Sequence, residues 1–294
     1  MDVKQIPKLL SLSDFPVGFG GCRNDGTHFE CCEYDMTVMD GQSGESIHRI
    51  ADDFVRVRHH SLDDSSSDVL YHLQDVSVIT DDQWTLRMLL SKIKEKKESI
   101  TMSYARSCLV DAGIFANKAK DSVKLKDPFA GVCIKCAAYS LADAILCLNL
   151  KRPNPTHMME IIRNMKTDKV NQKFSTIHQI LGIERASTSL LSRMVKSTIG
   201  FSDMTENNGN SGIIQKKYEY FVANSLLSDC YFYLGYVNRN NVLKIRNQIH
   251  KNPEFIHVLK VGLDIESDLT VIDNQATMLM QSANEILGNM KTQP

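Results

Sequence analysis

Residues 16–39, Pro-Val-Gly-Phe-Gly-Gly-Cys-Arg-Asn-Asp-Gly-Thr-His-Phe-Glu-Cys-Cys-Glu-Tyr-Asp-Met-Thr-Val-Met, constrain this chain more than any other stretch. An apolar run ends in a glycine turn. A short polar segment follows, and two acids one residue apart then lead into a second apolar run. The run Phe15–Phe19 reads as a short strand. Gly20 and Gly21 allow a tight turn and close backbone approach to a ligand, and Gly26 supplies a second hinge. Glu33 and Asp35 stand at i and i+2, so on a strand both carboxylates project from one face. Paired carboxylates beside a glycine turn suit a divalent cation with a polyphosphate, the acids holding the hard cation and the backbone amides the phosphate oxygens.

The segment resembles the signature of the nucleotidyltransferase superfamily of the DNA polymerase beta type. Gly21-Cys22-Arg23-Asn24-Asp25-Gly26 stands in place of the Gly-Ser-Arg-x-x-Gly of the small nucleotidyltransferases, and Glu33-Tyr34-Asp35 in place of Asp-x-Asp. Two residues depart from the pattern. Cys22 replaces a phosphate-binding serine, and a thiol is a weaker donor than a hydroxyl; Glu33 replaces the first aspartate. The likeness is strong over this segment and weak elsewhere.

The resemblance implies transfer of a nucleoside monophosphate from a nucleoside triphosphate, ATP above all, to an acceptor hydroxyl. The acceptor is open: a small molecule, a protein or RNA. Glu33 and Asp35 would hold Mg²⁺, and Gly20, Gly21, Cys22 and Arg23 would take the phosphates. In the family a third carboxylate from a neighbouring strand completes the metal site. Asp75, before the apolar run Val76–Ile79, is the preferred candidate, and Asp53, before Phe54–Val57, is the other. A non-catalytic alternative stands beside this, in which the altered signature binds nucleotide or a protein partner. A third reading pairs a nucleotidyltransferase with a helical partner in a toxin–antitoxin-type assembly.

The chain of 294 residues is long enough for two domains. Strand signals are confined to its first third: Phe54-Val55-Arg56-Val57-Arg58 alternates, with Val55 and Val57 on one face, and Val76–Ile79 is β-branched. Asp63–Asp68 is a polar loop, and Met1–Ser13 a short leading helix with Ile6, Leu9 and Leu10 inward. From residue 100 the pattern is helical. Phe129–Leu150 reads as a buried central helix broken by Pro153 and Pro155, with Thr156 capping a helix over His157–Met165. Further helices are expected over Leu190–Ile199, Ile213–Tyr236, Asn238–His250, Phe255–Val261 and Asp273–Leu287, with a loop over Glu206–Gly212. The fold class is therefore α+β: a small mixed-sheet nucleotidyltransferase-like domain over 1–95, then an all-helical bundle over 96–294.

A net charge of −1 offers no whole-protein attraction for nucleic acid. The N-terminus lacks the apolar core of a signal peptide, and no run of about 18 apolar residues suggests a membrane span. A cytoplasmic location follows, with the eight cysteines as reduced thiols. Cys133-x-x-Cys136 lies inside the central helix without a second pair, so it reads as structural. His59 and His60 are adjacent, point to opposite faces of a strand and read as solvated strand-end residues. His28 lies in the turn before the acids. Tyr218, Tyr220, Phe221, Tyr231, Tyr233 and Tyr236 suit a core or interface better than base stacking. The helical domain leaves room for a homo-oligomer.

Overall fold

A computed structural model describes residues 1–206 and 209–291 and divides the chain into two compact units. The first comprises Met1–Tyr104 and 209–216. The second comprises 105–206 and 217–291. The fold is α+β, as the sequence leads one to expect. The division falls at Tyr104, inside a helix, rather than near residue 95.

In the first unit, α1 (Ile6–Leu9) leads to β1 (Val17–Gly20), the one-turn α2 (Cys22–Asp25) and β2 (Tyr34–Val38). The hairpin β3 (Gly44–Ile50) and β4 (Asp53–His59) follows, then α3 (Ser67–Leu73), β5 (Ser77–Thr80) and α4 (Thr85–Glu95). The sheet order is β3-β4-β2-β1-β5. Only β2 and β4 run parallel. Alternation sorts the strand side chains. Tyr34, Met36 and Val38 of β2 and Val55 and Val57 of β4 join Ile6, Val17 and Phe19 in one apolar core. The register Tyr34↔Val55, Met36↔Val57 puts Asp35, Arg56 and Arg58 together on the opposite face.

Three local expectations change. β3 carries no strand signal in the sequence, because Gly-Glu-Ser-Ile-His-Arg-Ile has no apolar alternation; it is an edge strand and none of its residues is fully buried. α3 likewise lacks a clear helical signal, its buried residues being only Tyr71 and Leu73. Leu9 is exposed, not inward, since α1 is four residues long and stops before Ser11 turns left-handed.

The second unit is helical. α5 (Lys97–Leu125) carries the chain into it. There follow α6 (Ala130–Leu148), α7 (Met158–Arg163), α8 (Lys173–Leu181), α9 (Thr188–Thr205), α10 (Asn210–Ala223, whose residues up to Lys216 belong to the first unit), α11 (Leu227–Lys244), α12 (Phe255–Gly262) and α13 (Leu269–Lys291). α6 is the central helix and packs against α8, α11 and α13. It is long and apolar enough to cross a membrane by length and composition, but it includes Lys135 and Asp143 and almost all of it is buried inside this unit. Thr156 does not cap α7; His157 stands at that position. The helix expected over Ile213–Tyr236 is two helices. Ser225 adopts φ 59°, a left-handed conformation that an L-residue does not repeat in a helix, and the chain restarts at Leu227. Phe221, Tyr231, Tyr233 and Tyr236 are core residues. Of the loop expected over Glu206–Gly212, residues 207 and 208 lie outside the described part, and α10 already begins at Asn210.

Candidate functional site

The glycine turn and the acid pair meet across β1 and β2. Gly20 is the register partner of Asp35. Gly21 has φ 72°, and a Cβ there would stand 3.2 Å from Asp35 Oδ2, so glycine is required both for the turn and for the carboxylate above it. Cys22 begins α2 and is buried. His28 is exposed in the loop that follows. Glu33 immediately precedes β2 and Asp35 lies within it; the inward Tyr34 between them keeps both acids on the polar face.

That face is closed by arginines from β4. Arg58 Nη1 donates to both Asp35 oxygens, at 2.5 and 2.6 Å. Arg56 Nε donates to Glu33 Oε1 at 3.4 Å, while its Nη1 reaches Glu45 Oε2 at 2.5 Å and its Nη2 reaches Asn210 Oδ1 at 3.1 Å. The Asp35, Glu33 and Arg56 side chains are only 13–15% exposed. Burial opposes the Arg56 charge, but Glu45 and Glu33 outweigh it and hold the guanidinium above its ordinary pKa. Arg58 is likewise raised: burial works against its charge, and Asp35 overcomes it.

The remaining expected residues have other partners. Arg23 is held by neighbours within the unit. Its Nε donates to the Cys32 carbonyl at 2.8 Å, its guanidinium lies 4.2 Å from the centre of the Tyr34 ring, and Asp53 stands 3.9 Å from it. Asp53 also pairs with Lys216 at 3.5 Å. Asp75 pairs with Lys97 at 3.3 Å, ahead of β5, which β1 separates from β2. The structure thus unites Gly20, Gly21, Glu33 and Asp35, buries Cys22 at the start of α2, and gives Asp53 and Asp75 to basic side chains of their own.

These residues do not fit a two-magnesium centre. Such a centre needs carboxylate oxygens facing the cations and a third acid from the adjoining strand. Here the adjoining strand carries two guanidinium groups. Three acids and two arginines already come close to balance, and divalent cations would meet Arg56 and Arg58 at short range. Opposite unit charges about 3 Å apart attract by roughly 5 kcal/mol even at an effective dielectric constant of about 20.

The alternation in 54–58 points by its valines to the core and by its arginines to the acid pair, and only the valines carry an apolar signal. The signal was present: bases at i and i+2 on β4 match acids at i and i+2 beside β2.

A scan against family models and a search of curated proteins gave no match. Among solved structures, the chain is similar to a nucleotidyltransferase-like protein from Exiguobacterium sibiricum 255-15. The two share 9% identity over 88% of this chain and 91% of that one, with a TM-score of 0.30.

Proposed function

We propose that the first unit is a nucleotidyltransferase-like module that acts by binding a partner, its signature acids serving as counter-charges for Arg56 and Arg58 and not as metal ligands. The observation that carries this is the Arg58–Asp35 pair beside the glycine turn, in which one guanidinium nitrogen meets both carboxylate oxygens. Glu33–Arg56–Glu45 extends it into a network spanning β2, β4 and β3. Such a network favours one fixed arrangement of the polar face, which suits recognition.

The rival is nucleotidyl transfer. Its support is the seat of the Asp35 carboxylate directly over Gly21. The two readings separate in one assay. Incubation with each nucleoside triphosphate and Mg²⁺, with candidate hydroxyl acceptors and without them, is expected to release no pyrophosphate above a no-protein blank. Release that Glu33→Gln abolishes would establish the transfer reaction instead.

A further inference from the structure

The opposite face of the same sheet carries a second polar constellation, at its open edge. Ser46 and His48 lie two residues apart on the edge strand β3, on the face that Val55 and Val57 of β4 share, and His59 continues that row on β4. Asp40, just after β2, approaches His59 from the other side. Its Oδ2 is 2.7 Å from His59 Nδ1, and its Oδ1 accepts from the Gln42 amide at 3.1 Å. The Asp40 side chain is 3% exposed and that of His59 18%, so His59 is no solvated strand-end residue. On its far side, His59 Nε2 lies 3.2 Å from Ser46 Oγ, and His48 Nε2 lies 3.0 Å from the same oxygen.

For the neutral His59 ring, the donors and acceptors assign the tautomer. A carboxylate only accepts, so the His59 proton sits on Nδ1, facing Asp40. Nε2 is then the acceptor, and the Ser46 hydroxyl donates to it. His48 meets the remaining lone pairs of Oγ. A carboxylate holding Nδ1 of a histidine whose Nε2 faces a serine is the acid–base relay that turns a hydroxyl into a nucleophile, recognised by geometry and not by order in the sequence. β3 is the edge strand of the sheet, so every second N–H along it points away from β4.

We propose that Ser46 is an activated nucleophile for acyl transfer from small activated carboxylic esters, with His59 as its base and Asp40 as the positioning residue. Ser46 Oγ adds to the carbonyl carbon as its proton passes to His59 Nε2. The tetrahedral adduct collapses, the bond from carbon to the alcohol oxygen breaks, and the departing alkoxide takes the proton from His59. Water then attacks the acyl–Ser46 ester by the same route, releasing the carboxylic acid and restoring the serine. This site shares no side chain with the acid–arginine network, and the proposal stands apart from the function proposed above.

The test is covalent labelling of the full chain with an alkyl fluorophosphonate, read by peptide mass spectrometry. In that reaction the Oγ–P bond forms, the P–F bond breaks, fluoride leaves and His59 takes the proton. The expected result is modification at Ser46 that disappears in urea and in Ser46→Ala. It should slow by at least about 10²-fold in His59→Gln, the usual contribution of a general base. Asp40→Asn should slow it as well and Asp40→Glu partly restore it; circular dichroism checks that each variant is folded. The His59→Gln variant, if folded by circular dichroism, carries the test where the Asp40 variants unfold. An unmodified Ser46, labelling that persists in urea, or a His59→Gln rate equal to wild type would overturn the proposal. So would a rate lost only in His48→Gln, which would move the base to His48.

Discussion

At the scale of single residues, the account turns on what Asp35 faces. In a metal site, acids crowd one another until the cation arrives, and removing one commonly stabilises the metal-free protein. In an ion-pair network, removing one acid strands a shielded arginine. Asp35→Asn is therefore expected to destabilise the protein by about 1–3 kcal/mol, somewhat less than the loss of a fully buried pair, because both side chains retain some exposure. Urea unfolding checks the sign. A double-mutant cycle with Arg58→Met should return most of that loss as coupling between the two positions. The acids and the glycine turn were legible in the sequence, since their spacing and flanking hydrophobicity are local properties. Their partners were not, because pairing Asp35 with Arg58 depends on the parallel register of β2 and β4, strands separated in sequence by β3.

At the scale of elements, the helical unit depends on close approach at α11. Gly235 sits mid-helix, where alanine would ordinarily add about 1 kcal/mol of helix stability. A Cβ there would lie 2.0 Å from the Tyr139 hydroxyl, which is itself buried and bonded to the Phe232 carbonyl. Gly235→Ala should thus destabilise by about 1–3 kcal/mol through overpacking. Gly113→Ala on α5, where nothing stands within 4 Å, should stabilise by roughly 0.5–1 kcal/mol. Thermal melts of the two variants should move in opposite directions. The central helix was readable from its unbroken apolar and small residues. The split of α10 from α11 was not, because Asn224-Ser225 carries neither glycine nor proline to mark the left-handed turn. β3 stayed hidden because an edge strand can remain polar on both faces.

At the scale of the whole molecule, buried ionisable groups give stability a pH dependence. Lys135, on α6, is buried with its Nζ on the Leu181 carbonyl at 2.6 Å. Burial first, then Arg185, lowers its pKa to about 7, against the opposing pull of Asp264, Glu184 and Glu266. Its folded pKa lies below the ordinary 10.5, so across that window the unfolded chain binds more protons and stability rises with pH. The contribution is lost as pH falls through about 7. One such group adds a slope of at most about 1.4 kcal/mol per pH unit. Between about pH 7.5 and 8.5 the unfolding free energy of wild type should climb relative to Lys135→Met, and equal slopes would remove Lys135 from the account. The window stops there because burial lifts Cys133 and Cys230 to about 12, and those thiols pull stability the other way once the unfolded chain's thiols ionise.

The central claim concerns the first unit, where the signature acids hold arginines in place of metal. Thermal stabilisation by each nucleoside triphosphate, with and without Mg²⁺, in wild type and in Glu33→Gln/Asp35→Asn, tests it most directly. The account predicts that Mg²⁺ adds no stabilisation with any triphosphate. A Mg²⁺-dependent shift in wild type that vanishes in the double variant would contradict it and return Glu33 and Asp35 to the role of metal ligands.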